Sequence, residues 1–415
     1  MRKIPFDETP IIRPEVSQEI RSEKSSLSSF AKTIICLLLI SNIILGCLII
    51  NVYTKGGITQ EVSSPTINNT NQGSSISYAT SKAVLSTVCV SAGTYVDKNG
   101  TTHTASELEY FYNVSSRGSG VIFKDNKSAG QAYIVSNYHV VSPDEKNIYV
   151  LLYGSQVPVK AELVGYSSTY DISVLKIECP EYSQSGAIAC TIANSADISI
   201  GDICVAIGNP IAMGISSSIG NVSVPYEFVG VEGGGTARVI RTDAAINSGN
   251  SGGGLFNENG DLIGVVNAKI NSTAVENIAF AIPSNLAISI ANNIIRNNGT
   301  LKKLVIGMTI QIKSSKSVYD TKTNKTKIEY NIKVTEVTAG SRASACGIAE
   351  NDEFISFSYD GKTIKFDYMF AIEDNVFNMD TGTTLSFKVR RMFNGEMIEE
   401  DVEFVARASD FATVA

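Results

Sequence analysis

The stretch Thr242-Asp-Ala-Ala-Ile-Asn-Ser-Gly-Asn-Ser-Gly-Gly-Gly-Leu255 contains four glycines, and Ser251 lies among them. A backbone that bends sharply needs residues without Cβ, and such a bend can turn neighbouring N–H groups toward one point. Acyl transfer to a hydroxyl requires a nucleophile and donors aimed at the oxyanion, and both are available here. Taken alone, the stretch also fits a glycine-rich turn that joins two strands.

Candidate partners for Ser251 lie upstream. The chain has two histidines: His139 follows a β-like run, whereas His103 lies in a polar segment. Asp171 opens a run of apolar residues that is typical of a buried strand. An imidazole can take the proton of a serine hydroxyl if a buried carboxylate holds it in one tautomer. The order His139, Asp171, Ser251 is that of the double-barrel serine proteases, not that of subtilisin or the α/β-hydrolases.

Composition limits the other classes of function. The chain has 415 residues, enough for two or three domains, with 43% hydrophobic and 18% charged residues. A net charge of −7 argues against nucleic acid as the main partner. The seven cysteines imply no disulfide framework, although a Cys179–Cys190 pair stays open. Zinc-type Cys/His spacing does not occur, so we expect no metal site.

The N-terminal part predicts a membrane anchor. Residues 33–53 contain no charged side chain, and about 20 such residues span a bilayer as a helix. Basic residues are concentrated in the polar tail 1–32, which predicts a cytoplasmic tail and an extracytoplasmic remainder. Lipidation at Cys47, within Ile-Leu-Gly-Cys, is the alternative. Residues 54–78 are rich in Ser, Thr, Asn and Gly and predict a flexible linker.

The rest of the chain predicts two domains. About a dozen short β-like runs between residues 79 and 298 indicate barrels or sandwiches, with a closing helix at 284–298. The polar insertion 93–117 has no motif that explains it, and its role is open. From 301 to 408 the pattern restarts as an α+β domain with strands that include 305–312 and 330–337. Helices are predicted there at 341–346 and 366–375, and near 79–87 in the first domain.

Five segments together resemble the HtrA/Deg family of trypsin-like serine proteases. They are Ser-Asn-Tyr-His-Val-Val (136–141), Asp-Ile-Ser-Val-Leu-Lys-Ile (171–177), Ala-Ile-Gly-Asn-Pro (206–210), Thr-Asp-Ala-Ala-Ile-Asn-Ser-Gly-Asn-Ser-Gly-Gly (242–253) and Ala-Phe-Ala-Ile-Pro-Ser-Asn (279–285). The resemblance implies a mainly β architecture: a chymotrypsin-like double β-barrel protease domain at 79–298 and one PDZ domain at 301–408. The N-terminal anchor resembles that of membrane-bound bacterial members.

By position, the resemblance implies roles for individual residues. His139 is the expected general base, Asp171 the orienting acid and Ser251 the nucleophile. The N–H groups of Gly249 and Ser251, with Asn250 between them, are the expected oxyanion hole.

Binding roles follow from the same resemblance. The strand that pairs with substrate is expected at Val266, Asn267, Ala268 and Lys269, and Ile246 is expected in the wall of a pocket for small or medium apolar side chains. In the PDZ domain, Val305, Ile306, Gly307 and Met308 are expected to capture a peptide carboxylate. Two positions depart from the family pattern: Gly254 stands where Pro or Ala is usual, and Lys269 where an apolar residue is common.

The sequence therefore predicts a membrane-anchored serine endopeptidase that cleaves misfolded or exposed extracytoplasmic proteins and is regulated by its PDZ domain. It is expected to need no cofactor. The resemblance also implies a homotrimer. The alternative is a chaperone-like or adaptor protein that binds peptides with little hydrolysis, and a structural surface protein with a chance serine motif is a third reading. Whether the PDZ domain activates or inhibits stays open.

Overall fold

The computed structural model describes residues 75–93, 95–96, 102–103, 116–155, 157–209, 215–230, 236–268, 278–321, 324–366 and 368–415. The predicted tail 1–32, the predicted membrane span 33–53 and most of the predicted linker lie outside these residues. None of the helices within the described ranges is long and apolar enough to cross a membrane. All the described residues belong to one compact unit, Thr66–Ala415.

The first β-barrel is built from short, β-branched segments separated by turns. Its region contains, in chain order, β1 (Thr87–Ala92), β2 (Tyr95–Val96), β3 (Thr102–His103), β4 (Ser116–Asn126), β5 (Gln131–Ser136), β6 (Ile148–Leu152), β7 (Val159–Ser167) and β8 (Ile172–Glu178). The barrel closes in the order β1-β4-β5-β8-β7-β6, while β2 and β3 pair with each other inside the predicted insertion. Inward side chains such as Val90, Ile134, Val150 and Leu175 form its core.

The second barrel follows directly. Its strands are β9 (Ile203–Gly208), β10 (Ser216–Gly230), β11 (Thr236–Thr242), β12 (Gly254–Asn257), β13 (Leu262–Val266) and β14 (Ala279–Pro283). They close in the order β10-β11-β14-β13-β12-β9. The prediction of a mainly β protein with a double β-barrel is confirmed, and each barrel has six strands. The sequence pattern does not indicate strand β12, because its four residues continue the glycine-rich motif and show no alternation of apolar and polar side chains.

Short helices close and connect the barrels. They are α1 (Ser75–Ala83), α2 (Tyr138–Val141), α3 (Pro180–Gln184) and α4 (Ser284–Arg296). Helix α1 begins four residues before the helix expected at 79–87 and includes the end of the predicted linker, because Ala79 and Ala83 are buried. The apolar face of α4 packs against strands of both barrels, including β8 and β13.

The C-terminal domain consists of a sheet, two short helices and a separate strand pair. The elements are β15 (Leu301–Leu304), β16 (Met308–Asp320), β17 (Lys325–Val337), α5 (Arg342–Cys346), β18 (Glu353–Tyr359), β19 (Lys362–Lys365), α6 (Ala371–Asn375), β20 (Thr384–Phe393), β21 (Glu396–Val405) and β22 (Phe411–Val414). The sheet order is β16-β17-β18-β20-β21, with β19 paired to β18. Strand β22 pairs with β15, so ordered structure continues past residue 408.

Two predicted elements of this domain differ from the structure. The helix expected at 366–375 is confined to α6, because Phe366 is buried and stacks on Phe354 in the core of the sheet. The strands expected at 305–312 and 330–337 extend into one long hairpin, β16–β17. Near the tip of this hairpin, Lys325 Nζ lies 2.6 Å from Asp202 Oδ2 of the protease domain.

The cysteines of the described residues are free. This includes Cys179 and Cys190, so the pairing that the sequence left open is not formed. Burial raises the pKa of the Cys190 thiol to about 12, which keeps it protonated at neutral pH. Cys190 therefore packs as a small apolar side chain.

One close backbone contact gives a test of the packing between the first barrel and the segment that joins α4 to β15. A Cβ on Gly165 of β7 would lie 2.3 Å from the carbonyl oxygen of Gly299. This is shorter than van der Waals contact, and a backbone oxygen cannot move aside as the end of a flexible side chain can. We expect Gly165→Ala to lower the free energy of unfolding by about 1–3 kcal/mol, the usual cost of overpacking. Thermal unfolding measures this. The matched control is Gly230→Ala, where the described residues leave the Cβ open space. Equal melting temperatures for the two variants would contradict the close contact.

Candidate active site

His139 and Asp171 come from neighbouring strands of the first barrel. Strands β5 and β8 are antiparallel, with Ser136 opposite Ser173, so helix α2 and the residue before β8 emerge at the same end. His139 Nδ1 lies 2.6 Å from Asp171 Oδ2, and the backbone N–H of His139 donates to Asp171 Oδ1 at 2.9 Å. Both carboxylate oxygens are thus engaged by the histidine, which fixes the orientation of the imidazole ring.

The backbone of Asp171 is held in an uncommon conformation. Its φ is 51°, in the left-handed region that costs an L-residue about 1–2 kcal/mol. Its carbonyl oxygen accepts hydrogen bonds from Asn137 Nδ2 at 3.0 Å and from the N–H of Tyr138 at 3.3 Å. Contacts from the segment that carries His139 therefore stabilise the turn that presents the carboxylate.

Ser251 lies in the loop between β11 and β12 of the second barrel. Gly249 and Gly252 take positive φ values of 97° and 83°, as the glycine-rich sequence predicts. A Cβ on Gly252 would lie 2.2 Å from the carbonyl oxygen of Ser119 and 2.3 Å from Ser136 Oγ. The loop can approach the first barrel this closely only because that position is glycine.

The Ser251 loop and the His139 helix meet at strand β4. The N–H of Ser119 donates to the carbonyl oxygen of Ser251 at 2.8 Å. A Cβ on the preceding residue, Gly118, would lie 2.9 Å from that same carbonyl oxygen and 2.7 Å from the side chain of Val140, the neighbour of His139. The structure therefore brings the serine and the His–Asp pair to the same crevice between the barrels.

Ser251 Oγ is hydrogen-bonded to a backbone N–H group of its own barrel. It accepts a hydrogen bond from the N–H of Ala268 at 3.2 Å. Within the described part of the chain, no hydrogen bond joins Ser251 to His139. Catalytic hydrogen bonds are often long or absent before substrate binds, and a rotation of the serine side chain would redirect its hydroxyl.

The loop also leaves two backbone donors available. The N–H of Asn250 is used, since it donates to the carbonyl oxygen of Asn247 at 3.0 Å. Among the hydrogen bonds of the described residues, the N–H groups of Gly249 and Ser251 have no acceptor. Ser119 Oγ donates to the carbonyl oxygen of Gly249 at 2.7 Å, which keeps that carbonyl turned toward the first barrel. A pair of preorganised donors beside a serine is what an oxyanion requires.

Asn267 has a contact that the sequence did not predict. It was expected in the strand that pairs with substrate, but its side-chain Nδ2 donates to Asp171 Oδ2 at 2.8 Å. The amide thus links the second barrel to the carboxylate of the first. Nothing local in the sequence signals this, because the partner lies in the other barrel.

The remaining residues of the expected substrate site have different positions. Val266 ends β13 and exchanges backbone hydrogen bonds with the serine loop, donating to Gly253 at 2.8 Å. Ile246 is 8% exposed in the apolar cluster of the second barrel, against which Ala268 also packs. Lys269 lies outside the described residues.

The expected carboxylate-binding residues border a cavity of about 540 Å³ between β16 and α6. Gly307 has a φ of 82°, and its carbonyl oxygen accepts from the N–H of Thr338 at 2.9 Å. The N–H of Val305 is engaged by the carbonyl oxygen of Asp410 at 2.8 Å. In the described ranges, the N–H groups of Ile306 and Gly307 have no acceptor, whereas Met308 begins the edge strand.

Comparisons with known proteins show which proteins this chain is similar to. Residues 118–265 match the family model described as "Trypsin-like peptidase domain". The chain is 34% identical over 313 residues to the serine protease Do-like HtrA of Lactococcus lactis strain IL1403, covering 72% of this chain and 73% of that protein. It is 33% identical over 299 residues to the periplasmic pH-dependent serine endoprotease DegQ of Escherichia coli K12, covering 71% and 61%. A solved serine endoprotease of Yersinia pestis aligns with a TM-score of 0.44 at 24% identity, covering 83% and 100%.

Two barrels with this sequence match define a trypsin-like serine endopeptidase. More particularly, the chain belongs to the HtrA family of serine proteases.

The contact of Asn267 predicts a defect in turnover. We expect Asn267→Ala to lower kcat about tenfold to a hundredfold, because a hydrogen bond to a charged group is worth about 1.5–3 kcal/mol. Steady-state cleavage of an unfolded protein measures kcat and KM separately. Asn259→Ala, on the exposed turn between β12 and β13, is the control. A variant at position 267 with full kcat would show that the amide does not orient Asp171.

Proposed function

We propose that this HtrA family protease hydrolyses misfolded or exposed extracytoplasmic proteins through a triad of His139, Asp171 and Ser251. One observation carries the proposal: the Asp171 carboxylate is fixed by His139 Nδ1, and the crevice that holds this pair also holds Ser251. The geometry matches the needs of acyl transfer, in which a serine hydroxyl is activated by an oriented imidazole.

The proposed reaction has two stages. Ser251 Oγ leaves the Ala268 N–H and attacks the substrate carbonyl carbon while His139 Nε2 takes its proton. The tetrahedral oxyanion is held by the N–H groups of Gly249 and Ser251, and the imidazolium is stabilised by Asp171. The imidazolium then gives its proton to the leaving amine as the C–N bond breaks. Water attacks the acyl-enzyme by the same route, returning the proton to Ser251.

We propose that substrate adds as a strand beside Val266–Lys269, with a small or medium apolar side chain near Ile246. Val266 ends β13, Asn267 and Ala268 continue the chain from it, and Ala268 packs against the apolar cluster that contains Ile246. Main-chain pairing of this kind gives affinity with little dependence on sequence, which suits unfolded substrates.

We propose that the C-terminal domain acts as a PDZ domain, with peptide C-termini bound at Val305–Met308. Strand β16 is an edge strand, and α6 faces it across the cavity. An extended peptide could pair with β16 while its carboxylate meets the N–H groups of Ile306 and Gly307. Because the N–H of Val305 is already engaged, the binding loop would supply fewer donors than the sequence predicted.

A buried ion pair supports regulation of the protease by this domain. Arg238 lies on β11, which leads into the serine loop, and its side chain is 2% exposed. The guanidinium pairs with Asp374 of α6, donates to Tyr368 Oη at 2.9 Å and lies 4.4 Å from the Phe370 ring. Phe370 also lines the peptide cavity. A ligand in that cavity would therefore act on residues that contact β11.

The cellular setting is also part of the proposal. The apolar segment 33–53 would anchor the protein as a single span, with the tail 1–32 in the cytoplasm and both folded domains outside. The relative DegQ is named a periplasmic endoprotease, which supports an extracytoplasmic site of action. The homotrimer implied by the family resemblance stays a prediction, and light scattering of the purified protein tests it.

Removal of the nucleophile tests the triad. We expect Ser251→Ala to lower kcat for an unfolded protein by about 10⁴-fold or more, with an unchanged melting temperature. A fluorophosphonate probe should label the wild-type protein at Ser251 and fail to label the variant. A chaperone-like or adaptor protein would bind the same unfolded protein without labelling. Continued cleavage by Ser251→Ala would disprove the proposed mechanism.

Removal of the buried guanidinium tests the regulation. We expect Arg238→Met to destabilise the protein by about 3–5 kcal/mol, because Asp374 loses its buried partner. We also expect the variant to bind a C-terminal peptide while its kcat no longer responds to that peptide. Arg241→Met is the matched control, since Arg241 is on the same strand in a half-exposed pair with Glu227. A full response to peptide in Arg238→Met would exclude this contact as the route.

A further inference from the structure

The turn between β7 and β8 carries Asp171 and is contacted by a distant part of the chain. Ser167, the last residue of β7, is fully buried. Its hydroxyl donates to the Ala415 oxygen at 2.8 Å and accepts from the N–H of Tyr170 at 3.4 Å. Tyr170 directly precedes Asp171, so one hydroxyl connects residue 415 to the neighbour of the catalytic acid.

The segment that reaches this turn belongs to the C-terminal domain. Strand β22 pairs along its length with β15, which places the residue after it against the first barrel. The oxygen of Ala415 accepts a second hydrogen bond, from the N–H of Thr169 at 3.1 Å. Two residues of the same turn thus bind one backbone oxygen, which is a specific attachment rather than a chance contact.

A ring contact attaches the turn to the same domain at a second point. The Tyr170 ring packs edge-on against Phe377, with ring centroids 5.5 Å apart. Burial, together with the negative charge of Glu373, raises the pKa of Tyr170 to about 12. The phenol therefore stays neutral, and its position is set by packing.

The turn also contacts the helix that carries the catalytic base. Tyr166 of β7 stacks on Tyr138 of α2 with centroids 3.9 Å apart and planes 5° apart. The Tyr138 hydroxyl donates to Glu145 at 2.8 Å. A shift of the turn would therefore change the positions of both His139 and Asp171.

We propose that Ser167 is a positioning residue, through which the segment 411–415 holds the turn that presents Asp171 to His139. Asp171 needs such support, because its φ of 51° is unfavourable for a residue with a Cβ. If the hydroxyl is lost, the Tyr170 N–H loses its acceptor and the Asp171 backbone can relax. The carboxylate would then no longer meet both donors of His139. This inference rests on the proposed triad.

The inference is tested with Ser167→Ala and with a chain shortened by Ala415. Each change should lower kcat about tenfold, while KM changes less than twofold, because the proposed role of Ser167 is to orient Asp171 and not to bind substrate. The rate of fluorophosphonate labelling at Ser251 should fall by the same factor as kcat, since labelling needs the base but no peptide substrate. Thr413→Ala, exposed on β22, is the matched control and should keep full activity.

The double variant separates a specific contact from general damage. If Ser167 acts through Ala415, the two changes together should lower kcat no more than either alone. Independent, multiplying effects or an unchanged kcat in both single variants would overturn the inference. If Ser167→Ala fails to fold, the shortened chain alone decides. The Ser251→Ala variant, measured in parallel, distinguishes the two proposals. Cleavage by Ser251→Ala would reject the triad. If Ser251→Ala is inactive but Ser167→Ala keeps full activity, only the role of Ser167 is rejected.

Discussion

The proposed active site depends on one buried serine, Ser119, whose hydrogen bonds join the two barrels. Its N–H donates to the carbonyl oxygen of Ser251, its hydroxyl donates to that of Gly249, and its own carbonyl oxygen accepts from Ser136 Oγ at 2.6 Å. The hydroxyl also accepts from the N–H of Asn209 at 2.8 Å. Ser119 is fully buried, and a buried polar residue is tolerated only when its polar groups have hydrogen-bond partners. Here both barrels supply those partners. The serine loop is therefore held in register with the strands that carry the His–Asp pair.

The sequence predicted those features of the site whose signal lies in neighbouring residues of the chain. The glycines around Ser251, the acid before β8 and the histidine after β5 are recognisable because each combines a chemical group with a nearby structural signal. Ser119 and Asn267 carry no such signal, because their importance comes from partners in other strands or in the other barrel. The same reason explains the missed outer half of the β16–β17 hairpin. Its residues are mostly polar and exposed, and they are ordered by cross-strand pairing along the arm.

The C-terminal domain contacts elements that carry the proposed catalytic residues at two separate places. Through Arg238 it meets β11, which continues into the loop of Ser251. Through Ala415 it meets the turn that carries Asp171. Helix α4 packs against α6 and against β7, and its apolar face belongs to a continuous cluster that includes Val174, Val265 and Phe377. We therefore expect movement of the C-terminal domain to reach both halves of the proposed site through this shared core.

The two contacts differ in the kind of response they can support. The pair of Arg238 and Asp374 is buried, so separating it would leave charges without water or partners, at a cost of about 3–5 kcal/mol. Such a contact favours two discrete arrangements, either formed or replaced by other partners. The contact from Ser167 to Ala415 is a single hydrogen bond from an uncharged hydroxyl, and water can replace the acceptor if the segment leaves. Changes at the serine loop are therefore expected to be switch-like, whereas the orientation of Asp171 can adjust gradually as the C-terminal segment loosens.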